Sequence, residues 1–140
     1  MATIEKTLRS LGEAAKDAKD WFESASRKRT RDEFFARGKV GDDGSGAVYA
    51  YFDKGGTALY VGEAGRPIKR RMHDVTSPHA KRDWWTDWTT IRFLQVPDRT
   101  DRIVLELLLI LAFHPKFNAK PASRELSLMF AVPNFATTCP

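Results

Sequence analysis

Cysteine is nearly absent from this chain of 140 residues: Cys139 stands alone, so neither an internal disulfide nor a cysteine-rich zinc site can form. Histidine is scarce too, and His79 and His114 lack the spacing of a zinc pair. No apolar run approaches the roughly 20 residues of a membrane span. The longest, Ile103 to Phe113, has eleven residues and contains Glu106. The opening MATIEKTLRSLGEAAKDAKD has no apolar region of a secretory signal, which sets the expectation of a cytoplasmic protein. Two catalytic signatures are also missing. Gly62-Glu-Ala-Gly65 lacks the Gly-Lys-Ser/Thr ending of a phosphate loop, and no Gly-x-Ser-x-Gly elbow occurs. What is present, 42% hydrophobic residues with ordinary numbers of Gly and Pro, excludes a disordered chain and fits one globular domain.

Lys plus Arg is 23 against 18 acidic residues, a net charge of +5. Its distribution says more than its size. Arg27, Lys28, Arg29 and Arg31 form one basic run. Arg66, Lys69, Arg70, Arg71, Lys81 and Arg82 form a second against a single Asp74. Two such clusters suit a polyanion, with nucleic acid ahead of a membrane surface. The competing explanation is a pair of solvated faces.

Ile4, Leu8, Leu11, Ala15, Ala18 and Phe22 recur at three- and four-residue steps, which predicts an amphipathic helix over residues 3–25. Thr30-Arg-Asp-Glu33 is a capping-box signature opening a short helix that Gly38 would close. The glycine-rich stretch at 41–46 marks the boundary between an N-terminal arm (1–40) and a core (41–120). The core opens with a hairpin, Val48–Phe52 and Thr57–Val61, around the turn residues Asp53-Lys-Gly-Gly56. Glu63-Ala-Gly-Arg-Pro67 reads as a loop, and Pro67 starts a helix running to about Thr76. Residues 81–88 read as helical and Thr90–Val96 as a third strand. Asp98 or Thr100 caps a helix through Leu111 or Ala112, stopped by Pro115. A C-terminal extension, 121–140, is expected to pack on the core. The fold class is α+β: a small three-stranded antiparallel sheet flanked by helices.

Four features carry chemistry. Tyr49 and Tyr51 share one face of the first hairpin strand, and Tyr60 ends the second just before Gly62. Tyrosine is also an ordinary strand residue, and Arg70 an ordinary surface cation. Trp84, Trp85 and Trp88 suit a core, with base stacking as the rival use. Glu106 is the anomaly. Either it lies on an exposed stripe of its helix, or it is a buried carboxylate that needs a partner such as Arg102 or a metal.

Taken together, Ala47-Val-Tyr49, Tyr60-Val-Gly62, Arg70, Glu106 and Asn118 resemble the GIY-YIG nuclease superfamily. The likeness covers about residues 44–120, and its motif spacing is most similar to the nuclease domain at the front of the bacterial excision-repair incision subunit. The tyrosines fall eleven residues apart, as in the family, and Arg70 follows Tyr60 by ten. The segment from Leu105 to Asn118 ends in Pro115-Lys-Phe-Asn118, like the family's Pro-x-aromatic-Asn. Two positions depart from the pattern. Ala47 replaces the first glycine, with Gly46 one place early. Asp74 stands where many members carry His or Tyr, leaving His73, about 100° around the helix, as the candidate for that role.

The resemblance implies a metal-dependent endonuclease acting on DNA ahead of RNA. In that family Glu106 would hold one divalent ion, Mg²⁺ or Mn²⁺. Tyr60 would be the general base on water, oriented by Tyr49, and Arg70 would stabilise the phosphoryl oxygens. Arg66, Lys69 and Arg71 would contact flanking phosphates, with Gly62 and Asn118 completing the substrate site. Two alternatives remain. One is a nucleic-acid-binding module on this fold that does not cleave. The other is a nuclease effector or toxin docking a partner protein through the N-terminal helix.

Overall fold

The computed structural model describes residues 2–35, 46–65 and 81–118. Helix α1, Ala2–Ala25, follows the predicted stripe from Leu8 to Phe22, whereas Ile4 at its start is exposed. Its Ala15 packs with Leu8 and Leu11 against Leu107, Leu108 and Leu111 of the last helix, and Phe22 enters the main core fully buried. The capping box is formed as predicted. The Thr30 amide donates to the Glu33 carboxylate (2.8 Å), and the Glu33 amide donates to the Thr30 hydroxyl (3.2 Å), which opens α2, Arg31–Phe35.

The hairpin consists of β2, Ala47–Asp53, and β3, Ala58–Ala64. Its turn is chemical rather than generic. The Asp53 carboxylate accepts from the amides of Gly55 (3.0 Å) and Thr57 (2.9 Å), and Gly56 takes φ 84°, which favours glycine. A bulge between Tyr51 and Phe52 absorbs the register shift. Strand β4, Trp88–Gln95, pairs with β2, and Pro97 follows it. Asp98, not Thr100, caps α3 (Arg99–Phe113) by accepting from the Asp101 amide at 3.0 Å. The helix runs to Phe113 and ends at His114, which takes a left-handed φ of 50°.

Three expectations are corrected. The sheet has four strands, not three, in the order β1-β4-β2-β3, all pairs antiparallel. The added strand is β1, Arg27–Thr30. Three consecutive cations show no alternation of apolar and polar residues, so only the open edge of β4 reveals them as a strand. Glu63 and Ala64 continue β3 rather than forming a loop, because Val48 and Ala47 lie opposite them in register. Residues 81–88 are not one helix. A 3₁₀ turn spans Asp83–Thr86, and Trp88 already belongs to β4.

The sheet separates two cores. On one face Val48, Ala50 and Val61 meet Phe22 of α1 and Leu105, Leu109 and Ile110 of α3. On the other, Tyr49, Tyr51, Ile91 and Phe93 meet Phe34, Trp84 and Trp88. Arg31 is absorbed into this aromatic layer. Its guanidinium lies over Trp88 (4.7 Å to the ring centre) and Trp85 (5.3 Å) and donates to both of their carbonyls. Burial there pulls its pKa below the usual arginine value, partly offset by Tyr51 and Asp32. Among the described residues, no helix is long and apolar enough to cross a membrane.

Candidate active site

Period-two alternation puts Tyr49 and Tyr51 of β2 on the aromatic face, and the hairpin register sets Gly62 opposite Tyr49 and Tyr60 opposite Tyr51. Tyr49 is buried at 1% exposure, whereas Tyr60 is only partly covered. Their rings stack with centres 6.4 Å apart and planes 27° from parallel. A methyl group at Gly62 would lie 2.6 Å from the Tyr49 hydroxyl oxygen and 2.9 Å from Cε1 of Tyr60. Gly62 is therefore the gap into which both rings fit, and any side chain there would displace them. Its place is structural, beneath the tyrosines, rather than at an open surface.

Two further contacts fix Tyr60. Trp84 stacks on its ring at 5.2 Å and 15°. Beside it, the Val61 amide donates to the Asn118 carboxamide oxygen (3.0 Å), and the Asn118 nitrogen donates back to the Val61 carbonyl (2.8 Å). The amides of Lys116 and Phe117 add bonds to the carbonyls of Ala58 and Leu59. The segment after α3 thus closes the outer edge of β3. Asn118, expected among substrate contacts, is buried with its carboxamide clamped on the Val61 backbone, so here it positions the strand that carries Tyr60 and Gly62.

Glu106 is 5% exposed, so the exposed-stripe alternative does not hold. Its helical neighbour Arg102 has other partners: Nε donates to Glu63 (3.0 Å), and the guanidinium also donates to the carbonyls of Val96 (3.1 Å) and Pro97 (2.7 Å). That ion pair ties the start of α3 to the end of β3. Tyr49 and Tyr60 sit on the two strands of the hairpin, and Glu106 is carried by α3, which packs on β3 and β2.

Arg66, Lys69, Arg70, Arg71 and His73, with the helix predicted from Pro67, lie outside the described residues, as do Gly38, residues 41–45 and the extension at 121–140. Among the described residues, no three His, Cys, Asp or Glu side chains gather around a common point. Glu106 is a single hard carboxylate rather than part of such a group. That fits an ion keeping most of its water, such as Mg²⁺, and does not fit a zinc cage. Sequence reasoning missed Trp84 on Tyr60 and Glu63 on Arg102. Both contacts join segments far apart in the chain, and no local pattern announces them.

The hairpin thus carries a tyrosine pair and is followed, after one more strand, by a helix with a buried glutamate. No family model matches the chain, and no solved structure matches it. Part of it is similar to UvrABC system protein C. The proteins of that name from Flavobacterium johnsoniae and Flavobacterium psychrophilum are each 37% identical to it over 77 residues, covering 51% of this chain. The matched region is 12% of each UvrABC system protein C, so the match spans about one eighth of the length of those relatives.

Proposed function

We propose that this protein is a metal-dependent endonuclease that hydrolyses phosphodiester bonds in DNA. The observation that carries the reading is the stacked Tyr49–Tyr60 pair held over Gly62 on one hairpin, with a buried Glu106 on the helix that packs on that hairpin. The partial match to UvrABC system protein C supports the same reading.

The residues divide the work by their surroundings. Tyr60, which is partly open, would take a proton from the attacking water, and buried Tyr49 would hold it in orientation. A free tyrosine titrates near pH 10, so the base needs nearby positive charge to act at neutrality. Arg70 would supply it, together with hydrogen bonds to the phosphoryl oxygens. Glu106 would hold one Mg²⁺ or Mn²⁺, which polarises the phosphate when bound. Water oxygen bonds to phosphorus, the bridging P–O bond breaks, and the leaving oxygen takes a proton. Arg66, Lys69 and Arg71 would hold flanking phosphates, with His73 in place of the family's usual residue.

Cleavage of plasmid with Mg²⁺ or Mn²⁺ tests the reading, alongside single-stranded and branched DNA and RNA. The protein should cut DNA with metal and not in chelator, and Tyr60→Phe and Glu106→Gln should each lose cutting while retaining the parent's melting curve. A folded Glu106→Gln protein that cuts at the parent's rate overturns the assignment. A wild-type protein that binds DNA without cutting it would favour the non-cleaving module.

A further inference from the structure

Of the four cations in the first basic run, Arg31 is used up inside the aromatic layer, and Arg29 is half-buried where its charge acts on Glu33. Arg27 and Lys28 are different: both are exposed on β1, and among the described residues β1 is an edge strand of the sheet. Lys28 sits directly opposite Arg92 of β4, a like-charge pair across two strands, which is unfavourable by itself. Among the described residues, no carboxylate forms an ion pair with Arg27, Lys28 or Arg92; Arg92 instead donates to the Glu23 carbonyl at 3.0 Å.

The register gives this edge a place relative to the site. Arg27 lies opposite Phe93, Phe93 opposite Tyr49, and Tyr49 opposite Gly62. Arg27 thus stands two strand spacings from Tyr49, about 10 Å, on the tyrosines' face. On a duplex that distance is about three base-pair rises. Lys28 and Arg92 lie on the other face, so only a polyanion strand running along the edge meets both faces. A polyanion would relieve the Lys28–Arg92 repulsion and could also bond to backbone amides along that edge. Strand addition by another protein suits this edge poorly, because β1 has only four residues and carries charged side chains.

We infer that the β1 edge, through Arg27 and Lys28 backed by Arg92, is a second contact surface for the DNA phosphate backbone, outside the tyrosine site. This rests on the nuclease reading for the identity of the polyanion, and its test is independent of cleavage. Binding of a labelled 30-base-pair duplex is measured in chelator across a salt series. The proteins compared are the parent, an Arg27→Gln/Lys28→Gln double variant, an Arg27→Lys/Lys28→Arg swap and, as a control, Lys54→Gln in the exposed hairpin turn.

Each lost phosphate contact lowers the slope of log K against log salt by about 0.9, so the double variant should lose about 2 in slope. The swap and the control should keep the parent's slope. An unchanged slope in the double variant overturns the surface even if the parent cuts DNA. A parent that binds with the expected loss in the double variant but never cuts upholds the surface and rejects the nuclease reading. A parent that does not bind the duplex overturns the surface too.

Discussion

The hydroxyl of Tyr49 lies in the space that a side chain at Gly62 would occupy, with only 2.6 Å between that oxygen and the position of the missing methyl. Because Tyr49 is 1% exposed, its ring has nowhere to swing. Gly62→Ala should therefore displace the ring or open the hairpin, at about 1–3 kcal/mol. In a Tyr49→Ala background the same change should cost much less. A double-mutant cycle by chemical denaturation reads the difference. Additive costs would mean that the tyrosine moves aside freely.

Asn118→Ala should destabilise the protein by about 1–3 kcal/mol, since it leaves the Val61 amide and carbonyl without their partners at a buried edge. Asn118→Asp should also be unfavourable, because a carboxylate cannot donate to the Val61 carbonyl. Slower amide exchange at Val61 in the parent than in Asn118→Ala is the direct measurement. Equal protection would remove Asn118 from the role of clamp.

Arg102→Met should cost about 2–3 kcal/mol. It keeps apolar bulk but strands the Glu63 carboxylate and the carbonyls of Val96 and Pro97. Glu63→Gln keeps an acceptor for Arg102 and should cost less. Thermal melts of the two variants on the same buffer series decide it. The reverse order of stabilities would count against the assigned pairing.

Acid sensitivity has a predictable component at Glu33. Its hydrogen bond from the Thr30 amide, then that from the Thr30 hydroxyl, holds its pKa below the usual glutamate value. A depressed carboxylate pKa contributes stability above the unfolded value, near pH 4.3, and that stability is lost as pH falls through the lower folded value. Glu33→Gln should flatten the fall of Tm with pH in that window. The same fall in both proteins would show that the box does not titrate with folding.

His114 ends α3 with φ 50°, a conformation costly for a residue with a Cβ. His114→Gly should therefore raise stability, by about 0.5–1 kcal/mol. Its pKa is lowered by burial and then by Lys19, so the parent also loses some stability as pH falls from about 6.5. The glycine variant should lack that loss. Equal acid slopes near pH 6 in the two proteins would count against this.

The amino-acid sequence by itself determined the features closed by short-range bonds. The Thr30–Glu33 box, the Asp53 turn and the Asp98 cap each join groups within four residues, so composition and spacing suffice to find them. The stripe of α1 and the alternation of Tyr49 and Tyr51 were legible for the same reason: helix and strand periods are local geometry. Tertiary structure alone decided the rest. Arg27–Thr30 became a strand because β4 had an open edge, against any pattern in its own residues. Arg102 took Glu63 across 39 positions of chain, and Asn118 took Val61 across 57, because packing brought those groups together in low-dielectric surroundings where an unmet charge or amide is costly. Glu106 read from sequence as either exposed or buried, and the docking of α3 on the sheet buried it. Partner choice at such distances depends on how the layers meet, which local periodicity does not encode.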